Sequence, residues 1–168
     1  MHTATKVALP AGSRITGFYA ATNLADAFAI GLPEGTLRNP ETLARFLFAA
    51  QPAWVGHLMQ LRDTLVAGFG LKTARQLTAA SGQRVGIFKV YETHANEIIL
   101  GEDDKHLDFR VSVLVRPGAA TSQLVVSTVV HCHNLLGRSY ITLIAPFHRR
   151  VVRAHLQRAA RLGWPRQA

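Results

Sequence analysis

The chain has 168 residues and a mass of 18.4 kDa, enough for one domain that buries roughly 70% of its unfolded surface without a disulfide or metal. With 48% hydrophobic and 17% charged residues it is not a disordered chain, and Cys132, its single cysteine, excludes an internal disulfide. Net charge is +9, and all of it belongs to residues 109–168, which hold nine arginines and no acid, whereas residues 1–108 hold ten basic and ten acidic residues.

In chain order, residues 1–13 read as a loose lead-in and 14–20 as a short strand. Asn23 reads as the cap of a helix from Leu24 to about Ile30, with Asp26 in its first turn. Asn39-Pro40-Glu41 opens a helix with Leu43, Phe46, Leu47 and Ala50 at helical spacing. Pro52 opens a further helix over 53–67, and 71–80 reads as a short helix or an irregular crossing. From Arg84 the apolar period changes from helical to two. Strands are expected at 84–91, 97–100, 105–116 and 122–133, the last two joined by the loop Pro117–Thr121. Gly101–Asp104 reads as an acidic turn, solvated or partnering arginines. Asn134 caps a long final helix, 135 to about 162, with Pro146 inside it as a kink. Strands and helices are segregated, which indicates an α+β fold. One long helix after a curved antiparallel sheet suggests a helix grip, with helices inserted after the first strand and a pocket between sheet and helix. The chain reads as a single domain, 1–168, with its core at about 9–162.

Strand parity brings polar side chains together. If residues of the last two strands pair with numbers summing to 239, Asp108 faces His131, His106 faces His133 and Ser112 faces Ser127; a sum of 237 pairs His106 with His131 instead. Both registers keep the same residues on one face. His106, Asp108, Arg110, His131 and His133 are therefore the ligand-binding candidates. Imidazole and carboxylate also suit a metal or acid–base work, with Asp108 fixing a histidine tautomer, although the same pattern fits the wet side of an antiparallel sheet. Cys132 shares the apolar parity and reads as a core thiol.

Several segments together carry a resemblance: Asp26-Ala27-Phe28; Trp54 to Asp63 leading into Phe69-Gly70-Leu71-Lys72; Gly101 to Arg110; His133-Asn134-Leu135-Leu136-Gly137-Arg138; and Pro146-Phe147-His148-Arg149. Over about Leu9 to Arg158 the chain resembles the bacterial DUF2867 family, a family of unknown function. The resemblance implies a START-like (Bet v 1-like) helix-grip fold. Related domains occur fused behind NAD-binding Rossmann domains, but Gly68-Phe69-Gly70 lacks the third glycine of a dinucleotide fingerprint. The resemblance supplies no reaction and no catalytic residue.

Three functions follow as expectations. The first is binding of a small apolar or lipid-like ligand between the sheet and the C-terminal helix. The second is an enzyme using Asp108, His131 and His133. The third is a peripheral membrane or acidic-protein partner for the arginine face of Arg149, Arg150, Arg153, Arg158 and Arg161. Nucleic acid is disfavoured because no exposed aromatics interleave with those arginines. No cofactor or metal is called for. With no signal-like start and no run of about 20 apolar residues, the expected address is the cytoplasm, with a peripheral membrane role as the alternative.

Overall fold

The computed structural model describes residues 3–49, 56–57, 60, 63, 82–118 and 120–166. Seven strands form one curved, open antiparallel sheet: β1 (Thr5–Val7), β2 (Leu24–Gly31), β3 (Arg84–Val85), β4 (Phe88–Thr93), β5 (Glu97–Asp103), β6 (Leu107–Arg116) and β7 (Gln123–Cys132). Their spatial order is β1-β2-β7-β6-β5-β4-β3. Two helices are described in full, α1 (Pro40–Ala49) and α2 (Leu135–Leu162). The architecture is α+β, with the long C-terminal helix packed on the sheet.

Leu24, Asp26, Phe28 and Ile30 alternate with Ala25, Ala27 and Ala29, and this period of two prevails over the cap signal of Asn23. The segment read as a helix is strand β2, paired with β7 through Leu24↔Val130 to Gly31↔Gln123. Asn23 instead accepts a hydrogen bond from the Cys132 backbone N–H at 2.8 Å. Residues 14–20, read as a strand, are a series of turns, stitched by Thr16 N–H to Ser13 O and Phe18 N–H to Ile15 O, both 3.1 Å. The strand expected over 84–91 is broken at Gly86, whose φ of +61° makes a turn between β3 and β4. Pairing extends β5 through Asp103, so most of the expected acidic turn is strand.

The capping signals hold at both helices. Asn39 Oδ1 accepts from Thr42 N–H at 2.8 Å, and Asn134 Oδ1 accepts from Gly137 N–H at 3.0 Å. Helix α2 continues through Pro146 to Leu162. Of the helix expected at 53–67, Gly56, His57, Gln60 and Asp63 are helical; its other positions and the segment at 71–80 lie outside the described residues.

The sheet has two different faces. On the inner face Phe28, Ile30, Ile98, Leu100, Val111, Val113, Leu124 and Val126 form one core with Leu43, Ala44 and Leu47 of α1 and Leu156, Ala159 and Ala160 of α2. A second cluster on the same face joins Leu24, Leu107, Val130 and Cys132 to Ile141. Helix α2 lies across β2 and β7, and α1 across β5 and β6. The outer face is not a wet surface. The N-terminal segment crosses it, and Ile15 packs with Ile99 and Val129 while Leu9 and Tyr19 flank them. Buried Glu97 fastens this strap: its carboxylate accepts from the hydroxyls of Ser13 and Ser112 and from Arg14 N–H.

Candidate functional site

Strands β6 and β7 pair with residue numbers summing to 239: Asp108↔His131 and Ser112↔Ser127 are Cα partners. Asp108, Arg110, His131 and His133 gather on the outer face, next to the strap. His133 Nε2 lies 3.0 Å from Asp108 Oδ1, and the pair is partly open to solvent. The His131 and His133 rings meet edge to face at 5.4 Å, and Tyr19 stacks on His131 at 5.6 Å. His131 Nδ1 lies 2.9 Å from the Ala21 carbonyl. A carbonyl only accepts, so this contact puts the proton of the neutral ring on Nδ1 and leaves Nε2 as the acceptor. Chemically, the group can exchange a proton between a carboxylate-backed imidazole and solvent. Among the described residues, no three His, Cys, Asp or Glu side chains converge to hold a metal ion.

His106 separates from this group. Its Nδ1 lies 2.8 Å from the Asn134 side-chain nitrogen, so it supports the cap of α2. The close approach is fixed by Gly137, where a Cβ would stand 2.2 Å from the His106 carbonyl oxygen.

Arg110 is buried, only 5% exposed. Tyr91 is the extra residue of a bulge between Val90 and Glu92, and its ring lies 3.6 Å from the guanidinium carbon, with Phe18 at 5.1 Å. Nη1 of Arg110 donates to Asp103 at 2.7 Å. Opposite Arg110 stands Gly101, where a Cβ would lie 3.0 Å from the arginine Cδ. Burial opposes charge on Arg110, yet the Asp103 bond and the two tyrosines raise its pKa further. Burial likewise favours a protonated Asp103, but Arg110 and the Tyr91 hydroxyl outweigh it and lower the pKa. Tyr19 and Tyr91 are pushed up to about 12, chiefly by burial and against the pull of Arg110. The acidic segment thus does partner arginines: Glu102 pairs with Arg84 at 3.2 Å and Asp103 with Arg110.

The C-terminal arginines divide. Arg150, Arg153, Arg158 and Arg161 are exposed along α2. Arg149 turns inward, its Nε 2.8 Å from Asp26 Oδ2, while Lys6 Nζ approaches the other oxygen at 3.4 Å. Asp26 is buried on the inner face. Sequence reasoning missed this pair because it assigned Asp26 to a helix; the alternation of 24–30 puts an acid among core residues and signals a cation across from it. Beside the pair, burial holds the His148 imidazole down to about 4, although Asp26 pulls it up and Arg149 adds to the lowering. His148 Nε2 is buried without a hydrogen-bond partner among the described residues. Burial also lowers the pKa of His155, against a bond to the Val151 carbonyl, and raises that of Cys132, against Arg138.

Among the described residues, not every inward side chain is fully buried. Phe46, Phe48, Phe88, Val90, Phe109 and Val152 are only half-buried against the main core, and Phe109, Tyr140 and Ala145 only half-buried against the second cluster. Phe88 meets Phe48 at 5.0 Å and Phe109 at 5.8 Å, both edge to face, and Phe48 lies 6.3 Å from the His155 ring.

A curved, open antiparallel sheet with one long helix across its inner face defines an α+β sheet-and-helix protein. The chain belongs to the DUF2867 family, described as a protein of unknown function, whose match spans residues 18–155. No curated protein matches the chain.

Proposed function

We propose that this protein binds a small apolar or lipid-like ligand on the inner face of the sheet, beside α2. The observation that supports this reading is the half-buried aromatic set Phe48, Phe88, Phe109 and Tyr140, which points inward yet remains partly uncovered. Apolar surface left in contact with water forgoes roughly 25 cal/mol per Å², and an apolar ligand laid on these rings recovers it. Leu43, Leu47, Leu156 and Ala159 are packed in the core, so the ligand rests against the rings that rim this packing. Burial favours the neutral form of His148 and His155, whose imidazoles can orient a polar end without the cost of burying a charge. The START-like arrangement implied by the family resemblance is consistent with this reading.

An environment-sensitive apolar dye tests it. The dye brightens with the wild-type protein and is displaced by long-chain fatty acids. Phe109→Asp puts a carboxylate among the rings and reduces dye affinity tenfold or more, about 1.4 kcal/mol. Phe109→Leu keeps affinity within a few-fold. Equal dye binding by wild type and Phe109→Asp, with the variant folded, would contradict the proposal.

A further inference from the structure

The N-terminal half of α2 carries a second, outward-facing surface of a different character. Leu135, Leu143 and Phe147 are 76%, 63% and 44% exposed. Leu143 and Phe147 line an open hollow of about 870 Å³ together with Arg138, Ser139, Thr142, Pro146 and Arg150. Arg138 and Arg150 stand at its two ends, twelve residues or roughly 18 Å apart along the helix. Arg153 and Arg158 continue the positive charge along the exposed side, and the sequence holds no acid after Asp108. A solvated helix face does not need large apolar side chains among its arginines. An acidic protein or a nucleic acid would use the arginines but leave Leu135, Leu143 and Phe147 without a role. An anionic bilayer uses both: its phosphates meet the guanidinium groups while the leucines and phenylalanine enter the acyl boundary. At 28 residues α2 spans about 42 Å, yet no helix among the described residues is both long and apolar enough to cross a membrane; the geometry fits a helix lying in the interface.

We infer that the outer face of α2 around Arg138, Leu143, Phe147 and Arg150 docks on anionic phospholipid bilayers. The surface lies outside the sheet's inner face, so it stands or falls independently of ligand binding there.

Co-sedimentation with unilamellar vesicles tests the inference, using phosphatidylcholine alone and an equal mixture with phosphatidylglycerol. The full chain partitions to the mixed vesicles at least tenfold better than to the neutral ones, and high salt weakens the partitioning. Arg138→Gln with Arg150→Gln lowers it about tenfold or more, since each cation near such a surface accounts for roughly a fivefold change. Leu143→Ser with Phe147→Ser lowers it by a similar factor while leaving the arginines intact. All four positions are exposed or line the open hollow, so thermal unfolding of the variants stays close to wild type. Three results overturn the inference: no binding to mixed vesicles, equal binding to neutral ones, or binding unchanged in the Leu143/Phe147 variant. The last, together with equally tight binding to duplex DNA, would mark a general polyanion surface instead.

Discussion

His148 precedes Arg149 on α2, and burial lowers its imidazole pKa to about 4 against the pull of the buried Asp26 carboxylate. The unfolded chain takes the same proton near 6.5. As pH falls from about 6.5 to 4, protonation therefore favours the unfolded state, and the native state loses up to roughly 3 kcal/mol from this group; above 6.5 its contribution is fully present. Thermal melts of wild type and His148→Gln across pH 4–7 check this. The wild type loses stability more steeply toward low pH, and His155, whose pKa burial also lowers, accounts for part of the slope that remains in the variant. Parallel curves would contradict it. Other individual residues were legible in different degrees. Asn134 declared itself as a cap because a helix followed it. Asp108 and His131 were placed on one face correctly because antiparallel parity fixes which residues share a face, and the observed pairing is the first of the two registers that parity left open. Arg110 was counted among exposed polar groups because nothing in the β6 alternation shows that a distant strap, Phe18 and Tyr19, closes over it.

At the scale of elements, strong local periods survived and weak ones yielded to partners. Strands β6 and β7 and helix α2 follow their hydrophobic spacing to within two residues of expectation. The 24–30 segment carried conflicting signals, a cap residue before it and an alternation within it, and pairing with β7 decided the outcome. The approach of the α2 start to the backbone just before β6 is a close contact that the sequence did not reveal. Alanine at an ordinary helix position improves on glycine by about 1 kcal/mol. At Gly137 the added methyl would stand 2.2 Å from the His106 carbonyl oxygen, a backbone atom that cannot step aside alone. Gly137→Ala is therefore expected to destabilise the protein by roughly 2 kcal/mol, measured by urea denaturation against the exposed-site control Ser139→Ala. A gain of about 1 kcal/mol would show that the helix start and the β6 approach are not in contact.

For the molecule as a whole, segregated strands and helices announced an α+β fold, and the change of period at Arg84 announced the meander. What the sequence concealed was the division of labour between the two faces. The outer face looked polar because His131, Asp108 and Ser112 alternate with valines, yet the strap and Glu97 seal much of it. The inner face looked uniformly apolar, yet it holds the buried Asp26–Arg149 pair and leaves Phe88 and Phe109 partly uncovered. These are long-range consequences of chain path, and the alternation of 24–30, which sets Asp26 among core residues, is the one local pattern that hints at any of them. The central claim is that the uncovered rings serve as a ligand surface. A native mass spectrum of the protein purified from its own host tests it most directly. A retained apolar or lipid-like mass is expected on the wild-type chain and is expected to be lost from Phe109→Asp; the bare polypeptide mass alone, under conditions gentle enough to keep the fold, would contradict the claim.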